Sequence, residues 1–73
     1  MASTRRLTLT HNVETDKWDL KDERTRRLIK AFRTKTDATR RGVLEKEVGP
    51  DGGSVTIRKK GGVFEEERRF AGR

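Results

Sequence analysis

The side chains in this sequence best equipped for chemistry are cationic. Basic residues recur as Arg5-Arg6, Arg24-x-Arg26-Arg27, Lys30, Arg33, Lys35, Arg40-Arg41, Arg58-Lys59-Lys60 and Arg68-Arg69. Groups of this kind attract phosphate backbones, because each phosphate they neutralise releases condensed counterions. Arginine outnumbers lysine twelve to seven, which suits bidentate contact with phosphate oxygens. The most economical patch joins Arg24, Arg26 and Arg27 in one turn, Arg40 and Arg41 on a helix, and Arg58, Lys59 and Lys60 at the end of a hairpin. Arg40 and Arg41 fall in the first half of that helix, where cations oppose the macrodipole, a placement that local stability does not favour. The competing account is solubility: net charges of about 2–8 are common on small domains. Geometry separates the two, since basic groups gathered together favour a nucleic-acid backbone and basic groups scattered among acids do not.

Other chemistry finds little support. The 73 residues include one histidine, no cysteine and no tyrosine. His11 sits where the apolar side of a strand continues and reads as a structural or edge histidine. A triad on it needs Ser3 or Ser54 and a convergent acid in a pocket that a thin core does not offer. Asp19 with Asp22, and the run Glu65, Glu66, Glu67, lack the oxygen-ligand spacing of a calcium loop. That glutamate run reads instead as a solvated edge strand that discourages sheet-to-sheet pairing. Residues 49–53 lack the Gly-Lys-Ser/Thr of a phosphate loop, so turn chemistry accounts for them. The expectation is a non-enzymatic protein with no cofactor, no metal and no small-molecule substrate. The partners it suggests are a DNA or RNA backbone or a second copy of itself, a homodimer. The absence of cysteine fits a reducing compartment. No apolar run approaches the roughly 18 residues of a membrane span, and residues 1–9 have no apolar signal core, so no membrane role and a cytoplasmic location are expected.

The elements that must position these groups can be drawn from periodicity. Leu7, Leu9 and His11 alternate with Arg6, Thr8 and Thr10, the pattern of a half-buried strand. Residues 12–16 form a turn rich in Asn and Asp, and Trp18 and Leu20 alternate again to complete a hairpin. Trp18 could stack on a base, but with so few large apolar residues it reads as the main anchor of the core. Residues 26–32 fit a strand or a helix by periodicity alone. Thr34-Lys35-Thr36-Asp37 has the form of a capping box, so a helix starts there and the preceding segment is not the same helix. That helix runs from residue 35 to about 48, stops at Gly49-Pro50, and presents Ala38, Gly42, Leu44 and Val48 along one arc. Val55 and Ile57 then alternate, Gly61-Gly62 makes a two-residue turn, and residues 63–70 run back. With that turn Arg58 faces Glu65 and Thr56 faces Glu67, while Val55, Ile57, Phe64 and Phe70 share the other side.

The order strand, strand, strand, helix, strand, strand reads as α+β, a single antiparallel sheet with one helix packed on one face. Twelve Asp and Glu leave a net charge of +7, and only 29% of residues are hydrophobic. A chain this small and polar makes one domain over residues 1–73 with a thin core, and residues 1–4 and 71–73 are expected to fray.

The sequence resembles the bacterial domain-of-unknown-function 2188 family of small proteins. The resemblance is carried by Trp18 with Leu20 and Lys21, Arg27, Phe32, the segment Thr34-Lys35-Thr36-Asp37-Ala38, Val55 and Ile57, Gly62, Phe64, Glu66 and Phe70. Asp37 stands where the family pattern has Glu. The resemblance implies a small soluble bacterial protein without an established activity, and it favours a strand over residues 26–32.

Overall fold

The structure, a computed structural model, describes residues 5–71. Its elements are β1 (Arg5–Asn12), β2 (Lys17–Asp22), β3 (Leu28–Phe32), α1 (Lys35–Ala38), α2 (Val43–Val48), β4 (Gly53–Arg58) and β5 (Phe64–Phe70). The fraying expected at residues 1–4 and 72–73 lies outside the described residues; Ala71 is exposed coil. The α+β class holds, and of the ambiguous stretch 26–32 the strand takes residues 28–32, with Arg26 and Arg27 in the turn before it. Phe32 pairs with Trp18 and Ala31 with Asp19, so β3 extends the first hairpin outward.

Two expectations about architecture are corrected. The sheet is mixed rather than antiparallel: its order is β3-β2-β1-β4-β5, and β1 and β4 run parallel, with Leu7 opposite Val55 and Leu9 opposite Ile57. Apolar content explains the placement. Leu7, Leu9, Val55 and Ile57 have no exposed surface, so the two strands that carry them meet at the centre, and the largely exposed β3 and β5 take the edges. Because β3 runs in the same direction as β1, the chain must cross back over the sheet before β4 can lie parallel to β1, and the helical segment makes that crossing.

The expected single helix is two short ones. Thr34 caps α1 as its sequence suggests, its Oγ1 accepting the Asp37 N–H at 3.0 Å. Gly42, at φ +83°, then interrupts the chain between α1 and α2, a left-handed conformation that no helix can propagate through. Ala38, Leu44 and Val48 still face the sheet, whereas Gly42 is exposed. They close a core with Leu7, Leu9, Trp18, Leu20, Phe32, Val55 and Ile57, all on one side of the sheet. Trp18 is only 7% exposed, so it serves as a core anchor and its ring is not available to stack on a base.

The second hairpin is also shifted. A bulge between Ile57 and Arg58 sets Arg58 opposite Phe64, not Glu65, while Thr56 does face Glu67. The connection spans residues 59–63, closed by Lys59 N–H to the Val63 carbonyl at 2.8 Å. The extra residue moves Phe64 off the core side, where it is 56% exposed. Glu65 turns toward α1 and pairs with Lys35, whose ammonium also lies 5.9 Å from the centre of the Trp18 ring.

Candidate nucleic-acid interface

The three groups of basic residues expected to form one patch do not meet. The turn carrying Arg24, Arg26 and Arg27 lies beside the start of β1, where Glu23 N–H donates to the Arg6 carbonyl. Arg58, Lys59 and Lys60 lie beyond the end of the β1–β4 pairing. Five residues of strand rise separate Gly53 from Arg58, about 17 Å, so these groups occupy opposite ends of the sheet. Arg40 and Arg41 sit between α1 and α2, outside both helices. The macrodipole argument for them therefore falls, and Arg40 lies 3.6 Å from Asp37 in an exposed ion pair.

The charge is nevertheless segregated, along the order of the strands rather than across a face. Residues 5–16 hold two cations and two acids, and residues 34–52 hold four of each. Residues 17–33, the β2–β3 hairpin, hold Lys17, Lys21, Arg24, Arg26, Arg27, Lys30 and Arg33 against Asp19, Asp22 and Glu23. Those 17 residues supply +4 of the net +7, and residues 53–73, with six cations against three acids, supply the other +3. None of the seven cations belongs to an ion pair among the described residues. The opposite edge compensates itself: Glu65 pairs with Lys35, Glu66 with Arg68 at 3.3 Å, and Glu67 with Arg69 at 2.7 Å. The hydrogen bond that Arg69 Nε donates to Glu67 also raises the Arg69 guanidinium above its ordinary pKa.

Two of the three acids of the basic hairpin, Asp19 and Asp22, are occupied in building it. Asp22 Oδ1 accepts the Arg24 and Thr25 backbone N–H groups at 2.8 and 3.2 Å, and Thr25 Oγ1 accepts the Arg27 N–H at 3.3 Å. Arg26 N–H donates to the Asp22 carbonyl at 2.7 Å, and Arg26 adopts φ +60°. A non-glycine residue in that region is strained and persists only where its surroundings fix it. The turn thus presents three exposed guanidiniums on a backbone held at several points. Asp19, buried, accepts from Asn12 Nδ2 at 3.0 Å. Lys30 lies 5.3 Å from the Phe32 ring centre, its charge near an aromatic face.

Other regions are less suited to an anion. A depression of about 590 Å3 on the uncovered face of the sheet brings Arg6 and Arg69 together with Glu23, Asp51 and Glu67, so its acids outnumber its cations. His11 Nε2 lies 2.8 Å from Asp16 Oδ1 and its ring meets Trp18 edge-on at 5.2 Å, while its buried Nδ1 has no hydrogen-bond partner among the described residues. The hydrogen bond from His11, its charge and that of Lys60 hold the Asp16 carboxyl below its usual range. No group of three His, Cys, Asp or Glu that could hold a metal occurs among the described residues, and none of their helices is long and apolar enough to cross a membrane. Comparison with protein-family models, with curated proteins and with solved structures finds no match for this chain.

Lys17, Lys21, Lys30 and Arg33 lay outside the patch drawn from sequence. Their signal was the absence of partners. Counting acids within each hairpin, rather than basic clusters along the chain, would have separated residues 17–33 from the rest.

Proposed function

We propose that this protein is a small binding module that contacts nucleic-acid backbones, without sequence preference, through the β2–β3 hairpin. The observation that carries the reading is the segregation of charge: seven cations on 17 consecutive residues, with no ion-pair partner among the described residues. Arg24, Arg26 and Arg27 form its tip, and Lys17, Lys21, Lys30 and Arg33 extend it along the strands. Sequence independence follows from the aromatic residues: Trp18 and Phe32, the only two in the hairpin, are buried in the core, leaving no platform for base stacking. Phosphate contact then supplies the affinity, and phosphate contact is salt-dependent. A binding role also accords with the engagement of the one histidine by Asp16 and Trp18.

The test is the anisotropy of a labelled duplex and a labelled single strand titrated with the protein at several salt concentrations. The expected result is binding to both at low salt, with a steep linear fall of log affinity against log salt. Absence of binding at about 50 mM salt, or a flat response, refutes the reading.

A further inference from the structure

The two edges of the sheet differ in a way that concerns a second copy of the chain. A sheet edge presents unpaired backbone groups and is a template for another strand unless something blocks it. At β3 the block is charge: an antiparallel copy of Leu28–Phe32 centred on Lys30 would set Lys30 against itself, with Arg27 and Arg33 close by. β5 reads Phe64-Glu65-Glu66-Glu67-Arg68-Arg69-Phe70, a sequence whose charges invert about its middle. The glutamates alone would guard this edge, but the arginines that follow make it complementary to itself when reversed.

The geometry points to a homodimer formed by antiparallel pairing of β5 with the β5 of a second copy, about a two-fold axis at Glu67. Residues directly opposite in an antiparallel pair lie on the same face, and the axis maps each face onto itself. The axis must therefore pass through a residue rather than between two. Centred on Glu67, the pairing sets Glu66 against the partner's Arg68, and Arg68 against the partner's Glu66, on the helix-bearing side. The single like-charge meeting, Glu67 with its own copy, has the partner's Arg69 diagonally within reach, about 7–8 Å away. The bulge at Glu65 limits the regular pairing to the stretch from Glu66 onward, so Phe64, turned out of the core, takes no part in it. Centring on Arg68 instead would form as many ion pairs, Glu67 with the partner's Arg69 twice, but would oppose two arginines and set Glu66 against Phe70 on the core side. Glu65, already held by Lys35, is not needed in the chosen register.

The ionic contacts within β5 are local, Glu66 with Arg68 and Glu67 with Arg69, so pairing exchanges them for cross-strand contacts without leaving a charge alone. A two-fold edge contact closes after two copies, unlike β3 meeting β5, which would propagate into a filament. The basic hairpins stay at the outer edges and take no part in the contact.

Sedimentation equilibrium of the full chain without nucleic acid, at concentrations up to about 1 mM, suits a contact of this small area. A monomer–dimer equilibrium weakened by salt is expected. A monomer throughout, or open-ended growth, overturns the proposal. The doubly substituted chains E66R/E67R and R68E/R69E should each sediment as monomers under the same conditions, and their equimolar mixture should recover the dimer. Dimers of either variant alone, or no recovery on mixing folded variants, contradict the pairing. Register is read separately from E67C, the only thiol in a chain that has no cysteine. Opposed Cα atoms at about 4.5–5.5 Å fall within the range that a disulfide spans. Mild oxidation of E67C should give a covalent dimer at a rate at least tenfold above that of K30C on the other edge. Equal rates would overturn the assignment.

Discussion

Gly53→Ala perturbs the seam between β1 and β4 at a single atom. A Cβ at this position would lie 2.1 Å from the Arg5 carbonyl oxygen, 3.0 Å from its carbonyl carbon and 3.1 Å from its nitrogen, all backbone atoms of the adjacent parallel strand. No side-chain rotation relieves such a contact, so the Arg5–Gly53 end of the seam must open. The next pair on the same face is Leu7 with Val55, both fully buried. Gly62→Ala supplies the comparison, because Gly62 adopts φ +85° and a methyl group there would meet nothing within 4 Å. That variant carries only the conformational cost of a left-handed residue, about 1 kcal/mol. Gly53→Ala adds the displaced strand end and some lost burial beneath it, and about 3 kcal/mol in total is expected. At about 4–8 °C per kcal/mol for a domain of this size, Gly62→Ala should lower Tm by about 4–8 °C and Gly53→Ala by about 12–24 °C. Thermal melts followed by far-UV circular dichroism measure both. Equal losses would mean that β4 does not pack against β1 at Gly53, which would refute the parallel pairing at the centre of the fold.

Leu9→Ala empties a fully buried site between Leu20 and Ile57 and should cost about 2–5 kcal/mol in urea unfolding. Leu28→Ala on the exposed edge should stay within about 0.5 kcal/mol. Asp16→Asn tests the His11 contact through pH. The carboxyl is held below its usual value of 3.8, so the unfolded chain binds its proton first as pH falls, and the contact stabilises the fold above that pH. The variant should therefore melt below wild type at pH 6, and the difference should close as pH drops below about 4, through the folded pKa. Asparagine tolerates the φ of +55° at this position, which keeps the backbone out of the comparison.

The core was legible because it follows period: Leu7 and Leu9, Trp18 and Leu20, Val55 and Ile57 alternate in the sequence and lie buried in the fold. The Thr34 cap was legible for a local reason, since its hydroxyl reaches an amide three residues away. The parallel seam was not, because the direction of β4 depends on the crossing made by the helices, and no residue near Val55 encodes it. Gly42 falls on the apolar arc of a single helix by period, but it contributes no apolar contact there and its left-handed φ breaks the helix. Phe64 alternates onto the core side only with a two-residue turn; one extra residue in the bulge reverses its face. The same dependence on distant partners governs the candidate interface. The sequence shows where cations stand, but only the pairing of strands shows that Glu65, Glu66 and Glu67 are engaged elsewhere and leave the β2–β3 hairpin uncompensated.

The claim that this hairpin is the phosphate-contacting surface is tested most directly by the salt dependence of duplex binding in two triple variants. Arg24→Ala/Arg26→Asn/Arg27→Ala removes the tip while keeping a residue suited to the φ of +60° at position 26. Arg58→Ala/Lys59→Ala/Lys60→Ala removes the same charge from the opposite end of the sheet. Each lost phosphate contact lowers the slope of log affinity against log salt by about 0.9 for duplex DNA, so the tip variant should lose about 2.7 of the wild-type slope. Between about 50 and 200 mM salt, wild-type affinity should then fall about 40-fold further than that of the tip variant. The other variant should keep nearly the full slope. An unchanged slope in the folded tip variant, or an equal loss in both, would contradict the assignment of the hairpin.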